Sequence, residues 1–278
     1  MARKISHYEN FVVVSFRQPR RIRDALASIY AYCRFADDLA DSGNDPSQAL
    51  AAIDHWEHDL DKALQGSPAH PILESLTGTI SSFDLPVPPF RDLLTAFRQD
   101  QRIQRYQTFQ ELLNYCRCSA DPVGRIVLAL FGYRDEGLFA ASDAICTGLQ
   151  LANFWQDVDR DAANGRIYLP LEDMSAHNVT EEQIASRRFD DAFKGLIAFE
   201  VERTRSFFEE GKALVQAIGR NLRWEIEMFR RAGSAVMDGI ERVDFDVLHH
   251  RPTISRLKKV SIAIASLPSL FGSARYGR

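Results

Sequence analysis

The stretch Gln150-Leu-Ala-Asn153-Phe-Trp-Gln-Asp157-Val-Asp-Arg-Asp161 carries polar side chains at steps of three, four and four. On a helix those four positions share one face, as a stripe about three turns long. Leu149, Leu151, Phe154, Trp155 and Val158 stand around it, which is the composition of a buried helix rather than a solvated one. A second stretch repeats the pattern: Tyr30-Ala-Tyr-Cys-Arg34-Phe-Ala-Asp37-Asp38-Leu-Ala-Asp41. Tyr30, Arg34, Asp37 and Asp41 again fall on one helical face, flanked by Ile29, Cys33, Phe35 and Leu39.

Working outward, helix signals dominate and strand signals are weak. The apolar spacing predicts a helix over Arg21–Asp41, and Pro46-Ser47 opens another that runs to Leu64. Further helices are expected from Pro89 to Asp100, after the capping box Thr108–Glu111, and after Asp121-Pro122. One long helix is read from Leu138 to Ala163, stopped by Asn164-Gly165. The capping box Thr180–Gln183 and helices over Asp191–Ile218 and Leu222–Val243 follow. The breaks are short, with no repeats, low-complexity segments or inter-domain linker. The expectation is an all-α fold, one domain over residues 1–278.

The bulk numbers suit a soluble globular protein: 45% hydrophobic and 26% charged residues. Thirty-four basic against 38 acidic residues leave no broad basic field, so no nucleic-acid partner is expected. Cys33, Cys116, Cys118 and Cys146 contain no CxxC pair and read as reduced thiols, which points to a cytoplasmic protein rather than a zinc site. The start of the chain is a poor signal peptide, and no run is long enough to span a bilayer. The tail Leu257–Phe271 mixes Lys258 and Lys259 with Val260, Ile262, Ile264, Leu267 and Leu270. It reads either as a packed terminal helix or as a peripheral contact with the inner membrane face, where a lipid product could leave.

The aspartates set the chemistry. On a solvated helix, like charges at this spacing cost only about 0.2–0.5 kcal/mol. On core-facing helices each uncompensated carboxylate costs several kcal/mol, so two inward stripes need a cation between them. Oxygen ligands with amide help suit Mg²⁺, which keeps waters and shares its coordination with phosphate. Two such stripes make a diphosphate clamp, able to ionise an allylic diphosphate against an apolar wall.

Three blocks, YAYCRFADDLADS, NYCRCSADPVG and LQLANFWQDVDRDAANGRIYLP, resemble the squalene and phytoene synthase family over most of the chain. That resemblance implies a single all-α isoprenoid synthase domain with a central apolar cavity. The opening HYENF (His7–Phe11) and the closing DVLHHRP (Asp246–Pro252) are similar to the bacterial hydroxysqualene synthases of hopanoid biosynthesis. That branch ionises presqualene diphosphate, rearranges the cation and quenches it with water, without nicotinamide. By resemblance Asp37, Asp41, Asn153, Asp157 and Asp161 hold Mg²⁺. Tyr30, Arg34, Gln150 and His7-Tyr8-Glu9-Asn10 contact the diphosphate, and Tyr115 steers the cation or the water. Arg166 is read either as a diphosphate contact or as a stabiliser of the preceding helix end. Related enzymes often carry a basic residue at Glu9, an arginine at Gln156 and a tyrosine near Met237, and these departures fit an enzyme that starts from one preformed diphosphate.

Asp38 is read as a supporting or capping residue, and Asp159, the Arg102–Arg105 turn and the remaining histidines as solvated. Three other readings stay open. One is head-to-head condensation of two prenyl diphosphates such as farnesyl diphosphate, to squalene, dehydrosqualene or phytoene. The second is a non-catalytic assembly factor, which has no use for buried carboxylates. The third is a Mg²⁺-dependent nucleotide pyrophosphohydrolase, which would favour glutamate-rich motifs.

Overall fold

Proline opens four of the helices in the described residues, where its missing N–H would have no partner in any case. The computed structural model describes residues 18–41 and 45–271. They are helical apart from turns and a single bridge between Arg105 and Ile167, and they fall into two compact units.

The first unit comprises the chain to Arg102 together with Cys118–Asp135. Its helices are α1 (Arg20–Asp41), α2 (Pro46–Leu64), α3 (Pro71–Phe83), α4 (Pro88–Asp100) and α6 (Asp121–Leu130); α5 (Phe109–Ser119) intervenes in the chain. Helix α1 packs on α2, α3 and α4. Tyr32 is its anchor: the ring lies against Trp56 and Phe90, and its hydroxyl donates to the Phe90 carbonyl at 3.1 Å. Helix α3 escapes the sequence reading. Its serines, threonines and Gly78 are poor helix formers, and its cap is a histidine. His70 Nδ1 accepts the Ile72 amide at 3.2 Å while its ring packs on Phe35 and Trp56, so this histidine is half-buried rather than solvated. Burial of Leu73, Leu76 and Ile80 outweighs the weak propensity.

The second unit comprises Ile103–Arg117 and residues from Glu136 onward. Beyond most of α5 it holds α7 (Glu136–Gln156), α8 (Val158–Ala163), α9 (Leu171–Ala176), α10 (Glu181–Ala185), α11 (Asp191–Glu210), α12 (Lys212–Ala217), α13 (Arg220–Arg242) and α14 (Arg256–Ala265). Helix α7 packs on both α11 and α13. Trp155 Nε1 donates to Thr204 Oγ1 at 2.8 Å across the α7–α11 contact. Two expected helices are divided. The segment read as Leu138–Ala163 breaks at Asp157, and that read as Asp191–Ile218 breaks at Gly211, where a Cβ would lie 2.2 Å from Ile145 Cγ1.

Phe208 of α11 fills a notch between helices. A Cβ on Gly148 would sit 3.0 Å from its ring, and one on Gly233 only 2.2 Å away. Gly233→Ala is therefore expected to destabilise the protein by about 1–3 kcal/mol in urea unfolding, although alanine is the better helix former. A stabilised variant would contradict this packing.

Arg203 ties α9 to α11. Its Nη2 reaches Asp173 at 2.6 Å and both oxygens of Glu200 at 2.8 and 2.6 Å, and its guanidinium lies 3.4 Å over the Phe109 ring. Glu200 is wholly buried, and one guanidinium serves two carboxylates. Burial pushes the Glu200 carboxyl up to about 8, against the pull of Arg203 and with added repulsion from Asp173. A raised folded-state value gives stability that is full below the unfolded value near 4.5 and fades as pH rises through about 8. Glu200→Gln should flatten the melting temperature across that window in calorimetry; an unchanged slope would contradict it.

Candidate functional site

The C-terminal half of α1 concentrates negative charge. Asp37, Asp38 and Asp41 lie in its last two turns, where the helix end already carries partial negative charge, and no basic residue stands in the last turn. Asp37 is buried at 8% exposure, Asp38 and Asp41 are exposed, and Tyr30 and Arg34 are half-buried. Arg34 Nη1 donates to Asp37 Oδ2 at 3.2 Å and Nη2 to Asp38 Oδ1 at 2.5 Å. Burial pulls the Arg34 guanidinium down, and the charges of Asp38 and Asp37 outweigh it and hold it above its ordinary value. Asp38 thus stands off the stripe but shares its arginine. Beneath it Cys33 is fully buried; burial first, and the Asp37 charge second, push its thiol well up and keep it protonated.

The other stripe runs down α7 and across the break into α8. Gln150 is buried, and Asn153, Asp157 and Asp161 are half-buried. The Asp157 amide donates to the Asn153 carbonyl at 3.0 Å and the Asp161 amide to the Asp157 carbonyl at 2.9 Å. The hydrogen-bond ladder along the stripe thus survives the bend, and the aspartates keep helical spacing although the helix is not continuous. Asp159 points elsewhere and pairs with Arg187 Nε at 2.8 Å.

Beyond α8 the chain turns at Gly165, whose φ of +78° suits glycine. The Arg166 amide closes onto the Asp161 carbonyl at 2.9 Å, and the Arg166 side chain reaches the Tyr168 hydroxyl at 3.5 Å. Arg105 clasps this turn. It donates to the Gly165 carbonyl at 2.6 Å and to both oxygens of Glu181 at 3.0 and 2.9 Å, so it is no solvated arginine. Ile167 N donates to the Gln104 carbonyl at 3.1 Å. The clasp sets Tyr168 flat on Phe154, with centroids 3.8 Å apart and planes 10° apart. Buried Tyr115 lies beside Tyr106, Phe154 and Tyr168, completing an aromatic wall at the stripe.

Two contacts were not legible in the spacing. Arg251 grips Asp157 with two parallel bonds, Nε to Oδ1 at 2.5 Å and Nη2 to Oδ2 at 2.9 Å, and Arg160 approaches Oδ1 at 3.7 Å. That bond to Asp157 raises the Arg251 guanidinium above its ordinary value. Gln156 donates its amide to the Pro252 carbonyl, and Met237 is fully buried. The DVLHHRP motif held the only signal for Arg251, which lies far from Asp157 in the chain. His7, Tyr8, Glu9 and Asn10 lie outside the described residues.

Both stripes offer oxygen donors alone. Among the described residues no three acidic, histidine or cysteine groups converge. Such a donor set fits Mg²⁺, which takes one or two carboxylates and completes its octahedron with water and phosphate.

Residues 5–258 match the family Squalene/phytoene synthase, and the chain belongs to it. It is 33% identical over 255 residues to the phytoene synthase of Arthrospira platensis, covering 87% of this chain and 82% of that one. It is 31% identical to the 15-cis-phytoene synthase of Synechocystis sp., covering 91% and 78%. The crystal structure of squalene synthase HpnC from Alicyclobacillus acidocaldarius matches with 42% identity and a TM-score of 0.81, over 86% of this chain and 90% of that one. A dehydrosqualene synthase structure matches with a TM-score of 0.83 at 23% identity, over 95% and 93%, and shares the isoprenoid synthase fold.

Arg251→Gln removes half of a partly buried ion pair and leaves Asp157 with the weaker, 3.7 Å approach of Arg160. In metal-free buffer it should cost about 1–3 kcal/mol in urea unfolding. Adding Asp157→Asn should recover most of that loss. Additive losses would show that the pair is not coupled.

Proposed function

We propose that the chain is a Mg²⁺-dependent enzyme that ionises presqualene diphosphate and releases hydroxysqualene and diphosphate, as a carbon–oxygen lyase of hopanoid-type isoprenoid biosynthesis. Membership of the squalene/phytoene synthase family supports action on a prenyl diphosphate. The observation that favours one preformed substrate is the commitment of Gln156 to the Pro252 carbonyl. At that position and at Met237 this chain offers a second diphosphate neither a cation nor a phenol.

Asp37 and Asp41 on one stripe, and Asn153, Asp157 and Asp161 on the other, would hold Mg²⁺. Bound there, the ion would neutralise charge growing on the departing diphosphate. Arg34, Tyr30, Gln150 and Arg166 would orient the diphosphate, as would His7-Tyr8-Glu9-Asn10. The scissile C–O bond breaks with both electrons leaving on diphosphate. The cyclopropylcarbinyl cation rearranges, water forms the new C–O bond, and the water proton passes to diphosphate or solvent. The carbon skeleton gains no hydride, so no reductant enters. The faces of Tyr115, Phe154 and Tyr168 would stabilise the cation and exclude other water.

The alternative is head-to-head condensation of two prenyl diphosphates, favoured by the phytoene synthases among the relatives and by the similarity to squalene synthase HpnC. One experiment separates them. Purified protein with Mg²⁺ and presqualene diphosphate, without nicotinamide, should yield hydroxysqualene by mass spectrometry, and farnesyl diphosphate alone should be left intact. Consumption of farnesyl diphosphate would favour condensation. Asp37→Ala and Asp157→Ala should each lower diphosphate release by at least about 100-fold with helical circular dichroism unchanged. Full activity in either variant rejects both readings.

A further inference from the structure

Helix α14 carries apolar residues on two opposite faces. Ser255 caps it, accepting the Lys258 amide at 3.2 Å, and the helix packs on α13. Ile262 faces inward at 7% exposure, and Trp224 Nε1 donates to the Ala263 carbonyl at 3.1 Å. The opposite face holds Leu257, Val260 and Ile264, continued by Leu267 in the 3₁₀ turn Leu267–Phe271. Their steps of three, four and three make one stripe. They are 84, 56, 59 and 42% exposed, and make up four of the six exposed large hydrophobic residues among those described. Isolated exposed hydrophobics are ordinary, whereas a contiguous stripe marks a contact.

Charge names the partner. From Arg251 to the end the sequence holds six basic residues (Arg251, Arg256, Lys258, Lys259, Arg275 and Arg278) and no aspartate or glutamate. That segment carries +6 in a chain of −4, so the preceding 250 residues carry −10. Two copies meeting through this face about a two-fold axis would bring like-charged segments together. A zwitterionic surface carries no net negative charge to attract the segment. We propose that α14 and the turn after it dock on an anionic lipid bilayer. The stripe enters the boundary between headgroups and acyl chains, and the basic charge of the segment, Lys258 and Lys259 included, draws it to the anionic surface. A single interfacial helix of this kind binds reversibly and does not span, in keeping with the absence, among the described residues, of any helix long and apolar enough to cross a membrane. The inference is independent of the proposed activity.

Flotation of the full chain with vesicles tests it. The protein should float with phosphatidylcholine vesicles containing one-third phosphatidylglycerol, remain behind with phosphatidylcholine alone, and be released by high salt. Each lysine near such a surface contributes roughly five-fold, so Lys258→Gln with Lys259→Gln should weaken binding roughly 30-fold. Val260→Ser with Ile264→Ser should abolish it, with circular dichroism unchanged because both side chains face solvent. Failure of the unaltered chain to float with anionic vesicles overturns the proposal, as does undiminished binding in either double variant. Equal binding to neutral vesicles overturns the electrostatic part. A concentration-dependent dimer in sedimentation that the serine variant disperses would assign the face to a second copy instead.

Discussion

A carboxylate taken out of water must be neutralised, and each aspartate stripe of this chain is organised around that requirement. Arg34 is shared between Asp37 and Asp38, and Arg251 is clamped on Asp157. The two arrangements differ: one guanidinium is divided between two neighbouring aspartates at the end of α1, whereas Asp157 takes a fork from Arg251 and a longer approach from Arg160. Under the proposed function a divalent ion that brings phosphate oxygens with it would meet carboxylates already held in place by arginine. Around Arg203 the geometry is different: the carboxylates are sealed and Glu200 favours its proton.

The turn after α8 links the stripe to its apolar surroundings. Gly165 allows the reversal, Arg105 and the short bridge at Ile167 hold it, and Tyr168 comes to rest on Phe154, next to Tyr115. Polar oxygens and aromatic faces are thus fixed by one loop, and a shift of that loop would move both together. This coupling suits chemistry in which a leaving anion and a reactive cation must be handled side by side.

Much of this was written locally in the chain. Helical spacing in α1 and α7, proline starts and capping boxes gave the all-α class, and the two DxxxD stripes gave the candidate ligands. What escaped was whatever depended on distant partners. Helix α3 looks weak until Leu73, Leu76 and Ile80 are buried. Nothing near Asp157 announces Arg251, and nothing near Arg105 announces Gly165 or Glu181. The break at Asp157 was hidden because the stripe keeps its period across it. Of the family resemblance, the HYENF segment falls outside the described residues, so its role rests on sequence alone.

The notch around Phe208 bears on the aspartates from a distance. Gly148 lies two residues before Gln150, and it admits the ring only when α7 presents that side to α11. Rotating α7 by one residue, about 100° around its axis, would put a side chain against the ring and swing Gln150, Asn153 and Asp157 off their heading together. Two missing methyl groups, at Gly148 and Gly233, therefore act as a keyway that sets the azimuth of the acidic row.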